Sequence, residues 1–354
     1  MYTDLEWRFD TVYLGGGTPS NLSADRLGRV LEGIGTHLHL EPRAICLEAN
    51  PDDVTAGNLR LWRSLGVSFL SVGVQSFDDE RLRFLGRAHS AGRSAEALRL
   101  ALQGGFETVN ADLIFGLPGQ GGGRWRSELG TAVALGVQHI SCYQLTVHDG
   151  TVFGRRRRVG RLTEAPEDDQ AELYRLTHEI LNDAGFQAYE VSNFARPGHR
   201  SLHNLGYWDG AAYLGLGPAA HSFDGDRRRW WNRRKVRLWQ REIERGRRPQ
   251  EAQEVLTREE RALEAVMLGL RLADGLDLAE VEQIFGVDLV DSNREALAWL
   301  AECGLVAVSG SRVRPTARGM AVADGLARSI DVRRRANSGS TPADRHAYTR
   351  AHHG

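Results

Sequence analysis

The first two hundred residues alternate short apolar or β-branched runs with amphipathic helical stretches, and this alternation limits the chain to few architectures. Candidate strands fall at 11–14, 45–48, 69–74, 109–115, 139–145 and 187–191, each ending in small or polar residues. Helical patterns lie between them at 24–35, 56–65, 95–103 and 168–184, the first two preceded by the capping residues Ser23 and Thr55. Near-continuous apolar strands separated by helices predict an α/β fold around a parallel sheet, either doubly wound or a full or partial (β/α) barrel. Both gather ligands at the C-terminal ends of their strands, so the residues after each strand are where a site is sought.

A length of 354 residues suits about two domains. The texture changes near residue 253: helical patterns at 258–272, 278–285 and 294–303 precede short strands at 305–308 and 312–314 and a last helix to about 327. Three helices and a small hairpin resemble a winged helix. Its candidate recognition helix, 292–303, sets Glu295 and Glu302 against Arg294, the wrong balance for phosphate, so a packing or lid domain is expected. The expected divisions are a barrel over 1–200, a connecting segment over 201–252, a mainly helical domain over 253–330, and a disordered tail over 331–354.

Charge points to no polyanion: 45 basic residues balance 46 acidic ones. Lys235 is the only lysine, which reads as GC-rich codon usage, so arginine clusters such as 155–158 are discounted. The stretch 227–248 interleaves Trp230, Trp231 and Trp239 with arginines, but Asp224, Asp226, Glu242 and Glu244 interrupt it. A solvated helix with snorkelling arginines is expected there, and no nucleic-acid partner. Cys46, Cys142 and Cys303 form no C-x-x-C pair, which excludes a disulfide scaffold and a local zinc motif. With no 18-residue apolar run and no signal-peptide pattern at the N-terminus, a cytoplasmic protein without a transmembrane segment is expected.

The strand ends carry a coherent set of groups. Gly15-Gly16-Gly17-Thr18 follows the first strand and can bare backbone amides to a ligand, although a lone glycine-rich loop is more often a tight turn. The second strand ends at Glu48, the third at Gln75, and Arg87 follows in Leu85-Gly86-Arg87. Asp112 stands inside an apolar strand, where it is costly to bury without a partner. Each alone has a bland explanation; together they suit a zwitterionic amino acid joined to a nucleoside. The carboxyl groups can take an ammonium and a ribose diol, and Arg87 a carboxylate.

GGGTPS, LEANPDD, SVGVQSF, LGRAHS, DLIFGLPGQ, HISCYQLT, YEVSNFA and HNLGYW-x4-YLGLGPAAHS occur here in an order similar to that of radical S-adenosylmethionine proteins. The chain resembles their oxygen-independent coproporphyrinogen III oxidase-like branch of HemW-type haem chaperones over about residues 10–325. The resemblance implies a partial (β/α)6 barrel with a C-terminal helical domain. It also implies S-adenosylmethionine contacts at Gly16, Gly17, Thr18, Glu48, Gln75, Arg87 and Asp112. His203, Tyr207 and Trp208 of the HNLGYW block become haem-binding candidates, a neutral imidazole for iron and flat rings for a porphyrin. On the residues alone, a structural histidine with two core aromatics is the better explanation of the block.

Three departures from the family pattern stand out. The family's [4Fe–4S] cluster is held by a C-x3-C-x2-C loop ahead of GGGTP, yet no cysteine precedes Gly15. The first barrel strand and the cluster ligands are therefore expected to be missing, and the natural start to lie upstream of Met1. Phe69 stands where the family has Arg, and His148 where it has Glu, both expected near the barrel mouth. The resemblance implies a haem carrier binding haem or porphyrin and S-adenosylmethionine, with haem-receiving proteins as partners. The alternative is a radical enzyme that decarboxylates porphyrinogen propionates to vinyl groups.

Overall fold

A computed structural model describes residues 7–334, and the chain divides into two compact units, one through His203 and one from Asn204. The first unit is built on β1 (Arg8–Leu14), α1 (Ala24–His37), β2 (His39–Ala49), α2 (Ala56–Ser64) and β3 (Phe69–Gln75). It continues through α3 (Asp79–Phe84), α4 (Ala91–Gln103), β4 (Thr108–Phe115), α5 (Gly122–Leu135) and β5 (His139–Gln144). It ends with α6 (Val152–Arg158), α7 (Glu167–Asp183), β6 (Gln187–Ala188) and β7 (Asn193–Ala195). Strands β1 to β5 pair in parallel and in chain order, as strand–helix–strand crossovers dictate. The expected sixth strand at 187–191 differs: it is the outer arm of a short hairpin, and its inner arm β7 pairs antiparallel to β5. A two-stranded return of this kind needs no crossover helix, so a helix-spaced pattern does not reveal it.

The strands are less uniformly apolar than their composition suggests. Because side chains alternate, the cross-strand register sorts them onto two faces. Val12, Leu47, Leu70, Val109, Ala111, Leu113 and Ile140 share one face and are buried. The other face, the inside of the half-barrel, carries Thr11, Tyr13, Glu48, Ser71, Asn110, Asp112, His139 and Ser141. Cys46 lies on this inner face and Cys142, register partner of Leu113, on the outer one. Outside the sheet α5 packs on α7, where fully buried Trp125 donates its indole N–H to Thr177 Oγ1 at 2.8 Å.

From Asn204 the second unit carries the rest of α8 (Leu202–Trp208), then β8 (His221–Phe223), β9 (Arg228–Asn232), α9 (Val236–Glu244) and β10 (Gln250–Val255). The solvated helix expected over 227–248 is thus only partly present. Residues 228–232 form the central strand of an antiparallel sheet, because alternation buries Trp230 and Asn232 while Arg229 pairs with Glu254 and Glu264. Next come α10 (Arg258–Gly269), β11 (Leu276–Asp277), α11 (Leu278–Phe285), β12 (Val287–Asp288) and α12 (Arg294–Glu302). The hairpin β13 (Val306–Ser309) and β14 (Arg312–Pro315), with β11 against β14, makes the wing-like sheet. Then follow α13 (Ala317–Ala321), α14 (Ala323–Arg328) and β15 (Arg333–Arg334). A core of Val266, Leu276, Val281, Leu289, Leu300 and Val313 joins these pieces. Thr257 and Glu260 close a full capping box at the start of α10. The tail expected from 331 begins as structure: β15 pairs with β12, and Asp331 N–H donates to Asn293 Oδ1 at 2.7 Å. The remainder of that expectation, 335–354, lies outside the described residues.

Candidate functional site

A cavity of about 210 Å³ opens at the C-terminal ends of β2, β3 and β4. Gly17, Thr18, Glu48, Gln75, Arg87 and Asp112 line it together with Ala49, Asn50 and Gly73. Six of the seven residues expected to contact S-adenosylmethionine are therefore brought together. The seventh, Gly16, adjoins them and donates its backbone N–H to Glu48 Oε2 at 3.2 Å. It adopts φ +77°, a conformation glycine takes without cost.

The loops around the cavity are fixed by residues that strand-end reasoning passed over. Ser20, in the 3₁₀ turn after the glycine loop, donates its hydroxyl to Asp53 Oδ2 at 2.6 Å and accepts Asn50 N–H. This ties the loop after β1 to the loop after β2. Gln75 ends β3 with φ +67°, a costly conformation for a side-chain-bearing residue, and buried Glu128 on α5 anchors the two residues that follow it. His89 Nε2 is 3.1 Å from Val74 O, and Arg87 N–H donates to Leu82 O, which together hold the Arg87 loop against the sheet. Gly15 has a role other than baring amides. A Cβ there would lie 2.3 Å from Tyr13 Cε1 and 2.7 Å from Glu48 Oε1, so this glycine makes room for both side chains.

Asp112 has the partners its burial demands. Ser71 Oγ donates to its Oδ2 and Asn110 Nδ2 to its Oδ1, both at 2.8 Å. Burial nevertheless pushes its pKa up to about 6, with the nearby Glu48 acting in the same direction. Burial lowers the pKa of Arg87, while Asp112 works against that shift. The network runs on along the inner face. Asn110 Oδ1 pairs with His139 Nδ1 at 2.7 Å, His139 Nε2 with Tyr189 Oη at 2.9 Å, and Tyr189 Oη accepts Ser201 N–H at 3.4 Å. Burial holds His139 neutral, with a pKa down to about 3.

His203, on α8, packs against this inner face. Its Nδ1 lies 3.0 Å from Thr11 Oγ1, and its ring stacks on Tyr13 with centroids 4.8 Å apart and planes 17° from parallel. Burial brings its pKa down to about 4, so the imidazole is neutral at physiological pH. Tyr207 and Trp208 lie in the second unit, where Tyr207 is 44% exposed and meets Tyr213 edge to face at 5.0 Å.

Of the two departures expected near the barrel mouth, one falls elsewhere. Phe69 is the first residue of β3, at the opposite end of that strand from Gln75, and packs edge-on to His139 at 5.2 Å. His148 is an exposed loop residue after β5.

A half-barrel with a polar inner face and a strand-end cavity is the architecture of radical S-adenosylmethionine proteins. The Radical SAM superfamily matches residues 3–126, and the HemN C-terminal domain matches residues 256–322. The fold is similar to that of coproporphyrinogen III oxidase (HemN) from Escherichia coli, with a TM-score of 0.77 at 23% identity over 91% of this chain and 77% of that one. Heme chaperone HemW of Mycobacterium tuberculosis (strain ATCC 25618 / H37Rv) is 38% identical over 321 residues, 90% of this chain and 80% of the relative. Heme chaperone HemW of Bacillus subtilis (strain 168) is 36% identical over 312 residues, 87% of this chain and 82% of the relative. The chain belongs to the heme chaperone HemW family.

The residues described do not fit the [4Fe–4S] cluster that the superfamily implies. Cys46 and Cys142 are buried on opposite faces of the sheet, burial pushes the Cys46 thiol up to about 12, and Cys303 belongs to the second unit. Among the described residues no three His, Cys, Asp or Glu side chains are grouped to hold a metal ion.

Proposed function

We propose that this chain is a haem carrier of the HemW type that binds haem through His203 and S-adenosylmethionine at the strand-end cavity. The carrying observation is the state of His203: a neutral imidazole, oriented by Thr11 and Tyr13, packed against the same inner face as the cavity. A neutral imidazole is what haem iron takes as an axial ligand, so no proton has to leave before it binds. Tyr207 and Trp208 are candidate porphyrin contacts.

For S-adenosylmethionine the donor set fits: Glu48 and Asp112 for an ammonium and ribose hydroxyls, Arg87 for a carboxylate, Gln75 for a polar edge. No radical step is assigned to the residues described, and the oxidase alternative rests on likeness of fold alone. Haem-receiving proteins would be the partners. No described helix is long and apolar enough to cross a membrane, and a cytoplasmic location is part of the proposal.

Hemin titration followed at the Soret band tests the reading. Wild type is expected to bind with an imidazole-ligand spectrum that His203→Ala loses. An unchanged spectrum and affinity in the variant would remove His203 as the ligand.

A further inference from the structure

Two adjacent inward-facing residues of β1 hold His203, and one of them also holds the cavity. Thr11 contacts the imidazole Nδ1, and Tyr13 lies flat against the ring. The Tyr13 hydroxyl donates to Glu48 Oε1 at 2.7 Å, and the second oxygen of that carboxyl accepts Gly16 N–H. One side chain thus touches the imidazole with its ring and a cavity wall with its hydroxyl. Alternation along β1 makes this possible, since residues two apart share a face. Gly15 completes it, having no Cβ to push Tyr13 and Glu48 aside.

We infer that Tyr13 is a positioning residue coupling the strand-end cavity to His203, so that a ligand in the cavity changes haem affinity at the histidine. The inference rests on the function proposed above. A ligand ammonium or hydroxyl entering the cavity competes with the Tyr13 hydroxyl for Glu48 Oε1. Loss or tightening of that hydrogen bond shifts the phenol ring, and the ring is what His203 stacks against. The coupling must be mutual: haem on His203 changes the cavity's affinity by the same factor. The hydroxyl stays a donor throughout, because burial and Glu48 both raise the Tyr13 pKa. The hydrogen-bonded path from Asp112 through Asn110, His139 and Tyr189 to Ser201 connects the same two places, but it ends on a backbone N–H two residues from His203. Tyr13 touches the imidazole itself.

The test is hemin titration of the full chain, read at the Soret band, without and with saturating S-adenosylmethionine, whose own binding is measured by calorimetry. Wild type should show haem affinities differing at least about fivefold between the two conditions, the lower end of ordinary coupling. Tyr13→Phe keeps the ring and removes the hydroxyl. It should bring the ratio to about one, whatever shift it causes in either affinity alone. A merely structural role would move both affinities together and leave the ratio alone. If Tyr13→Phe fails to fold by circular dichroism, Glu48→Gln takes its place: it weakens S-adenosylmethionine binding, and at saturation the ratio should still fall toward one. Wild type that binds both ligands without coupling, or a folded variant with the wild-type ratio, overturns the inference and leaves the proposed function standing. Wild type that fails to bind hemin or S-adenosylmethionine overturns both.

Discussion

Ser76 donates its hydroxyl to Glu128 Oε1 at 2.5 Å across 52 residues of sequence, and Glu128 Oε2 accepts Phe77 N–H at 2.6 Å. This pair locks the chain immediately after Gln75, whose left-handed backbone needs support from outside its own strand. Glu128→Ala strands a hydroxyl and an amide in the interior and should cost about 1–3 kcal/mol for each group left unsatisfied. Denaturant unfolding reads that loss. S-adenosylmethionine affinity should fall with it because Gln75 is released; a destabilised variant with undiminished affinity would separate Gln75 from the ligand.

Gly15→Ala should act on the cavity more than on the fold. Its Cβ must displace Tyr13 or Glu48, both side chains rather than backbone. S-adenosylmethionine binding is expected to weaken about tenfold, which is about 1.4 kcal/mol. Thermal stability should change little. Calorimetry beside a melting curve checks both, and a collapse of stability with unchanged affinity contradicts the assignment.

Asp112 makes stability depend on pH in a definite direction. Its folded pKa, about 6, lies above the ordinary 3.8, so between those values the folded state holds the proton more tightly than the unfolded state. Its contribution is most favourable below about pH 4 and declines as pH rises toward 6. Asp112→Asn removes this dependence. Unfolding free energies of the two proteins at several pH values should show wild type losing ground to the variant from pH 4 to 6, with a constant gap above. A gap independent of pH across that range refutes the shift.

Trp125→Ala provides a contrast away from the cavity. The side chain is fully buried between α5 and α7 and its indole N–H is satisfied by Thr177. Truncation should cost about 3–5 kcal/mol of stability. Hemin and S-adenosylmethionine affinities of the folded fraction should stay at wild-type values, since its hydrogen-bond partner Thr177 and its ring partner Phe115 are not among the residues that line the cavity.

The strand-end chemistry was legible because each polar residue interrupts an apolar run just where a parallel strand should stop. Glu48 and Gln75 are visible in that way, Asp112 as a carboxyl inside an apolar strand, and the structure places all three in one cavity. The polar inner face was harder to see. Ser71, Asn110, His139 and Ser141 are small or neutral groups scattered over three strands, and only cross-strand register shows that they satisfy one another. Period-two placement of Asn110 and Asp112 was the available signal. Phe69 opens β3 and so lies at the end of the strand away from Gln75, which chain direction alone implies. The return arm of the hairpin at 193–195 and the sheet at 221–255 are not legible, because β7 and β8 are three residues long and arginines and acidic residues mask the alternation of β9 and β10.

The contact between Thr11 and His203 also has a temporal side. The two residues are 192 apart, so β1 has left the ribosome long before its partner is made. Parallel strands paired in chain order let each new strand dock on the one before it, and the outer helices can cover the apolar face as they appear. What waits for His203 is the inner face, and that face is hydrophilic. A nascent chain paused at this stage shows water a surface rich in hydroxyl, amide and carboxyl groups. The closure completed last along this unit therefore leaves exposed a surface poor in the apolar side chains that drive aggregation.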